Sequence, residues 1–289
     1  MDLFHLRLLV AALMGIGMAL SLRYGFWNPK LRWCIRLVLR MGVVGILSVL
    51  LHGFCEEGIT WRAAVGIILC AMILCESMYL WWITGIIQSR QLPVMFRYGV
   101  TRGTVSWPAH RHFLRLRDYL RREHFRSVGT FHISFLGVPL LLNVVMLDAS
   151  GRVRLEVFFR MGASGIRHVQ FVLSSRLKED EWIVTDNINV PSGGIMPRNW
   201  KLKRYRFASP QTLLRRHRKR LQMLNAVCET WDSEHILSEL NHEQDLLAGE
   251  NFQRGLLERS SDGREYILSD EGRYRLWQST LAIHYFGIA

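Results

Sequence analysis

The chain has 289 residues, 49% of them hydrophobic, and a mean hydropathy of +0.09. That is too apolar for a purely water-soluble protein and too polar for a polytopic transporter; a short membrane anchor joined to a soluble domain averages to this value. The formal charge of +13 favours a polyanionic neighbour, and five cysteines without a C-x-x-C pair exclude a disulfide framework and a cysteine zinc site. Only Cys228 lies in the polar part of the chain, which suits a reducing compartment.

Composition breaks at about residue 90. Before it, Ala63–Ile87 is a run of twenty-five residues whose one charge is Glu76, with Trp61, Trp81 and Trp82 near its ends. About twenty apolar residues cross a hydrocarbon core, and tryptophans favour its interfaces. Leu37–Phe54 is long enough to span if Arg40 snorkels, and Leu8–Leu22 extends back to residue 4 if Arg7 does the same. Two or three spans are therefore expected, at about 4–22, 37–54 and 63–87. A cleaved signal peptide is disfavoured, because the first run has a weak basic start and no A-x-A site after it.

Positive charge orients the anchor. Arg23, Lys30, Arg32, Arg36 and Arg40 separate the first two runs; Glu56, Glu57 and Arg62 separate the next two; Arg90, Arg97, Arg102 and Arg111 follow the last. The positive-inside rule puts the C-terminal part in the cytoplasm, with or without the first span. Within the anchor, Glu76 is the one candidate for an intramembrane role. It reads either as a proton or ion relay or as a helix-contact residue, and no second ionisable group lies deep in a span to complete a pathway.

A linker over 91–109 carries Gly99, Gly103 and Pro108, and His110–Arg126 then reads as a basic amphipathic helix. Phe113, Leu116, Tyr119 and Leu120 share one face; Arg111, Arg115, Arg121, Arg122 and Arg126 share the other. Residues 128–208 alternate at period two and predict an antiparallel sheet of five or six strands, with a hairpin at Asp148-Ala149-Ser150-Gly151 and one apolar face for helices to cover. Ser209-Pro210 starts another helix, with Leu213, Leu214, His217, Leu221 and Leu224 on its apolar stripe. Between Arg198 and Arg220 there are ten Lys and Arg and no acid; between Leu221 and Glu250 there are seven acids and no Lys or Arg. Such opposed blocks can pair with each other.

No catalytic or metal signature emerges, and no cofactor is expected. Gly162-Ala163-Ser164-Gly165 lacks nucleophile-elbow spacing, Pro191-Ser192-Gly193-Gly194 is turn material, and no Walker or dinucleotide glycine pattern occurs. His110 and His112 do not share a helix face. Were the chain an enzyme, Asp186, Asn187 and His168 would be the site to inspect.

Gly255-Leu256-Leu257-Glu258-Arg259, Asp262-Gly263-Arg264, Tyr266-Ile267-Leu268-Ser269 and Glu271-Gly272 together resemble the end of the third helix and the wing of winged-helix regulators of the MarR/PadR type. The resemblance covers about residues 232–276 and implies a helix followed by a hairpin. In that family the helix enters the DNA major groove. Here Glu239, Glu243, Asp245 and Glu250 stand where a reader needs Lys or Arg, so packing or protein contact is the favoured use.

The expectation is an α+β chain: an anchor over 1–90, a linker over 91–109, a cytoplasmic α+β domain over 110–227 and a helix-plus-wing subdomain over 228–289. It is expected to be an integral protein of a bacterial inner membrane and a binding or scaffold protein more than an enzyme. Arg111, Arg115, Arg121, Arg122, Lys201, Lys203, Arg215, Arg216, Arg218 and Lys219 would face anionic lipid headgroups or an acidic protein. A membrane-tethered nucleic-acid binder is the alternative reading.

Overall fold

The computed structural model describes residues 29–286, apart from 56–57, 91–96, 101–106, 109, 136–137, 163–164, 189–195, 262 and 264. The expected span over 4–22 lies outside the described residues. The chain forms two compact units, Met1–Ile86 with Thr280–Ala289, and Ile87–Ser279.

In the first unit, α1 (Pro29–Phe54) and α2 (Trp61–Ser89) are both long and apolar enough to cross a membrane, with mean hydropathies of 2.0 and 2.1 over Leu37–Phe54 and Trp61–Ser89. Few of their side chains are buried; Leu50, Leu74, Met78 and Trp82 are among those left exposed. His52 closes the turn between the helices, its Nδ1 lying 2.8 Å from the Ile59 carbonyl. Arg40 and Glu76 each lie some 21–23 Å along their helix from that turn. They therefore meet, Arg40 Nη2 sitting 3.2 Å from Glu76 Oε2. The Tyr285 hydroxyl donates to the same carboxylate oxygen, and the Arg40 guanidinium lies 5.1 Å from the Tyr285 ring centre. Glu76 thus has a charge partner that is hidden in the sequence, where an arginine snorkelling to the interface and one pairing at equal depth leave the same pattern.

The second unit is built on one sheet of seven strands in sequential order: β1 (Tyr98–Val100), β2 (Arg126–Phe135), β3 (Val138–Leu147), β4 (Arg154–Gly162), β5 (Gly165–Arg176), β6 (Trp182–Asp186) and β7 (Trp200–Arg204). The expected count of five or six is corrected to seven. β1 is only three residues long and falls inside the stretch read as linker, where period-two patterning has no room to show. Every pairing is antiparallel except β6 with β7. Parallel pairing needs a crossover of a dozen or more residues, and 187–199 supplies one. The β3–β4 turn forms where expected: Asp148 Oδ1 accepts from the amides of Arg152 and Val153, and Gly151 adopts φ +68°.

Both faces of this sheet are covered, where a single apolar face was expected. α3 (Arg111–Arg122) and α4 (Pro210–Met223) bring Phe113, Leu116, Leu120, Leu213 and Leu214 onto one face, against Val144, Met146, Leu155, Val157, Phe159 and Leu173. The opposite face takes α5 (Ile236–Gln253), which packs Ile236 and Leu240 with Trp231 against Val145, Leu147, Trp182 and Val184. Double coverage explains β6, in which all five residues are buried and alternation is blurred.

Three helices end in the same way. In α3, the Phe125 amide donates to the Leu120 carbonyl and the His124 amide to Arg121, with His124 at φ 62°. Asn225 after α4 and Gly255 after α5 repeat this geometry at φ 45° and 71°. This is the left-handed Schellman closure, which satisfies the last carbonyls and stops the helix. It ends α3 at Arg122, short of the expected Arg126, and frees Arg126 to begin β2. After α5, β8 (Leu257–Arg259) and β9 (Tyr266–Leu268) form a short antiparallel hairpin, followed by α6 (Asp270–Phe286).

Arg154 locks α5 to the sheet. Its Nη1 and Nη2 donate to the two carboxylate oxygens of Glu243 at 2.5 and 2.6 Å, and Glu156 lies 3.1 Å away. Asn143 donates to Glu156 at 2.8 Å, and all four side chains are buried. Burial pushes the Glu156 carboxyl up, against the pull of Arg154 and Asn143. At the sheet edge, Asn241 of α5 accepts from the Tyr98 amide at 2.9 Å and donates to the Tyr98 carbonyl at 3.2 Å, imitating a further strand. Removing one partner of a buried ion pair costs about 3–5 kcal/mol. Glu243→Ala should therefore lower the melting temperature of this unit by ~6–20 °C. Glu156→Gln should cost less, because Glu243 still holds the Arg154 guanidinium through two hydrogen bonds. Equal losses in thermal unfolding of the two variants would contradict this assignment.

Candidate functional site

The basic residues singled out in the sequence lie on one side of the sheet. On α3, Arg111, Arg115, Arg121 and Arg122 are exposed, opposite the buried Phe113, Leu116 and Leu120. On α4, Arg215, Arg216, Arg218 and Lys219 are exposed, opposite Leu213, Leu214 and His217. In β7, Trp200 and Leu202 face the α5 side, so period two turns the exposed Lys201 and Lys203 to the α4 side. The ends of the two helices are joined by Arg218, which donates to Glu123 at 2.9 Å. Lys201 is paired with Glu181 at 2.6 Å, and the Arg216 guanidinium lies 4.1 Å from the Tyr205 ring centre. Arg218 and Lys201 are therefore engaged within the fold, whereas no ion pair within the described residues holds Arg111, Arg115, Arg121, Arg122, Lys203, Arg215, Arg216 or Lys219.

The acidic block is on the other side. Glu239 lies 3.5 Å from Arg176, Glu243 is bound to Arg154, Asp245 lies 2.9 Å from Arg97, and Glu250 pairs with Arg254. The ten-cation and seven-acid blocks thus do not neutralise one another, since the sheet stands between α4 and α5. Glu239 and Glu243 pair with sheet arginines, Asp245 with Arg97 just before β1, and Glu250 with Arg254 at the end of α5. A hairpin does follow α5, as the winged-helix resemblance implies, but residues 224–235 before α5 contain no helix. Within the hairpin, Arg259 donates to the Gly263 carbonyl and the Tyr266 hydroxyl, and its guanidinium lies 4.6 Å from the Tyr266 ring centre.

α4 is held to the sheet by a buried polar string that sequence reading missed. His217 is fully buried, its Nε2 lying 3.1 Å from Ser175 Oγ and its Nδ1 3.0 Å from Thr185 Oγ1. Arg220 donates to the Thr185 hydroxyl at 2.7 Å and to the carbonyl of Val184. Burial, aided by the nearby Arg220 charge, lowers the His217 pKa to about 3. His217 is thus a neutral pin whose two nitrogens seat the helix. The only sequence signal was a histidine within a leucine stripe.

The remaining candidates do not assemble. Asp186 is held by Arg204 Nε at 3.0 Å, and burial pushes its carboxyl up. Asn187 uses both ends of its amide on backbone, accepting from Phe171 at 2.7 Å and donating to Ala208 at 3.1 Å. The His168 side chain lies outside the described residues, while its backbone pairs with Arg160 in β4. No cluster of three metal-ligating side chains occurs among the described residues. Comparison with known protein families, curated proteins and solved structures gave no match.

The depressed His217 pKa sets a pH dependence. The unfolded chain takes up a proton near pH 6.5 and the folded chain does not, so stability present above that value falls as pH is lowered toward 3. The limiting slope is about 1.4 kcal/mol per pH unit. Melting temperatures between pH 7.5 and 5.0 should fall more steeply for the native chain than for His217→Leu. Parallel curves would refute the neutral-pin assignment.

Proposed function

We propose that this chain is an integral membrane protein whose α+β unit lies on the cytoplasmic side and holds anionic lipid headgroups on the outer face of α3 and α4. The observation that carries this reading is the joining of two basic helices on one side of a sheet, with the acids taken to the other side. Each Lys or Arg near an anionic surface contributes about 1 kcal/mol, and the contribution falls off within a Debye length. Eight exposed cations without an ion pair among the described residues, all on one side, therefore favour a charged surface over a single small anion.

The anchor reading rests on α1 and α2. Large apolar side chains exposed along two successive helices would be a liability in water, whereas the hydrocarbon core accommodates them. The rise from Trp61 to Trp82 along α2 is ~31 Å, close to the thickness of that core. Glu76 then sits inside the bilayer beside Arg40, where its pairing supports a helix-contact role. The excess of Lys and Arg flanking the apolar runs on one side supports the cytoplasmic orientation.

The test uses the full chain in nanodiscs of phosphatidylcholine alone or mixed with phosphatidylglycerol. Amide exchange in α3 and α4 should slow by about tenfold or more in the anionic discs, a gain of some 1.4 kcal/mol. Raising salt should reverse it, and the combined variant Arg215→Glu, Arg216→Glu, Lys219→Glu should abolish it. Exchange that ignores lipid charge would remove the proposal.

A further inference from the structure

The outer face of α4 does not end in charge. Met223 follows Lys219 by four residues and Arg216 by seven, which places it on the same helix face. It is 74% exposed, and Leu224 and Val227 beyond it are 51% and 63% exposed. Scattered exposed apolar residues are ordinary. Three within five residues, at the tip of a basic helix, are a patch. Among the described residues, the other large apolar side chains exposed in this unit, Val100, Leu246, Phe252 and Tyr274, are dispersed over β1, α5 and α6.

The tip is fixed by backbone bonds at both ends. On the helix side, the Asn225 amide donates to Gln222 and the Ala226 amide to Leu221, with Asn225 in the left-handed region. On the far side, Cys228 bridges to Leu177 and the Glu229 amide donates to the Arg176 carbonyl. The three side chains are thus presented by a closed turn whose ends are tied to α4 and to the end of β5. Holding large apolar groups in water is unfavourable, and the bonds that close this turn keep them outward.

We infer that Met223, Leu224 and Val227 insert into the acyl boundary of an anionic leaflet while Arg215, Arg216 and Lys219 engage its headgroups. The inference rests on the headgroup reading above and adds an apolar component to it. Charge complementarity selects this occupant: cations one and two turns away belong with a layer whose anionic surface lies directly over hydrocarbon. A buried protein interface would instead have to desolvate those cations. The two components separate experimentally, because insertion does not weaken with salt once the tip is in place, whereas headgroup attraction does.

Met223 is its own reporter. Hydroxyl-radical oxidation of the full chain in nanodiscs, read by peptide mass spectrometry, should be about threefold or more slower at Met223 when phosphatidylglycerol is present than in phosphatidylcholine alone. The buried Met146 serves as the unreactive reference. The pair Leu224→Ser and Val227→Ser keeps Met223 and every cation; it should restore most of the oxidation while leaving amide protection of α3 and α4 in place. Oxidation of Met223 at equal rates in the two discs, with α3 and α4 still protected, would overturn insertion and leave headgroup docking standing. Loss of both signals would overturn the two together. Protection of Met223 already present in phosphatidylcholine or in detergent would overturn the commitment to an anionic leaflet.

Discussion

A guanidinium buried in the middle of the α5-side core organises the larger unit. Arg154 is almost fully removed from water, and burial alone would act against its charge; Glu243 and Glu156 outweigh that and hold it protonated. One of the two carboxylates comes from the sheet and the other from α5, so the two-oxygen bond to Arg154 forms only when the helix is seated. Trp231 stacks over the same guanidinium at 4.1 Å and over that of Arg176 at 4.8 Å, closing the site against water. The acids of α5 are consequently committed inward, and the helix covers the sheet as much through ion pairs as through Ile236 and Leu240.

The other side of the sheet follows a different rule. There the core is apolar, α3 and α4 contribute few polar contacts to it, and their charges are left outside. His217 and Arg220 are exceptions: Arg220 donates to Thr185 and the Val184 carbonyl, and His217 is kept neutral between Ser175 and Thr185 and acts as a locator rather than a charge. The result is a layer with unlike sides, cationic helices over one face and paired acids over the other. That asymmetry is the physical basis for reading one side as a docking surface. The Met223 turn extends the same side with apolar groups, giving it the two components that a lipid surface rewards.

Local signals were legible wherever one short-range force governed. The apolar runs at 37–54 and 63–87, the Asp148–Gly151 turn, the Ser209-Pro210 helix start and the helix-then-hairpin order after residue 232 all depend on neighbours in sequence, and all appear. The stripe Phe113, Leu116, Leu120 and the stripe Leu213, Leu214 were equally visible, since helical spacing alone defines them. Illegible were β1, too short to carry a pattern, the parallel join of β7 to β6, and coverage of the second sheet face. Each is a contact between segments far apart in sequence. The acidic run from Leu221 to Glu250 misled in a similar way: as a string it read as a counterpart to the basic run, and in space its partners include Arg154, Arg176, Arg97 and Arg254.

By itself, then, the sequence determined the longer elements, their order, and the grouping of cations on the outer faces of two helices. These follow from periodicity, capping and composition, which act over a few residues. Only the tertiary structure decided that the two helices share one side, that Glu76 meets Arg40 and Tyr285, and that Glu243 finds Arg154. Those outcomes depend on pairing buried charges and covering both sheet faces at once. Both are long-range conditions, because the desolvation cost of a charge is known only when its surroundings are assembled.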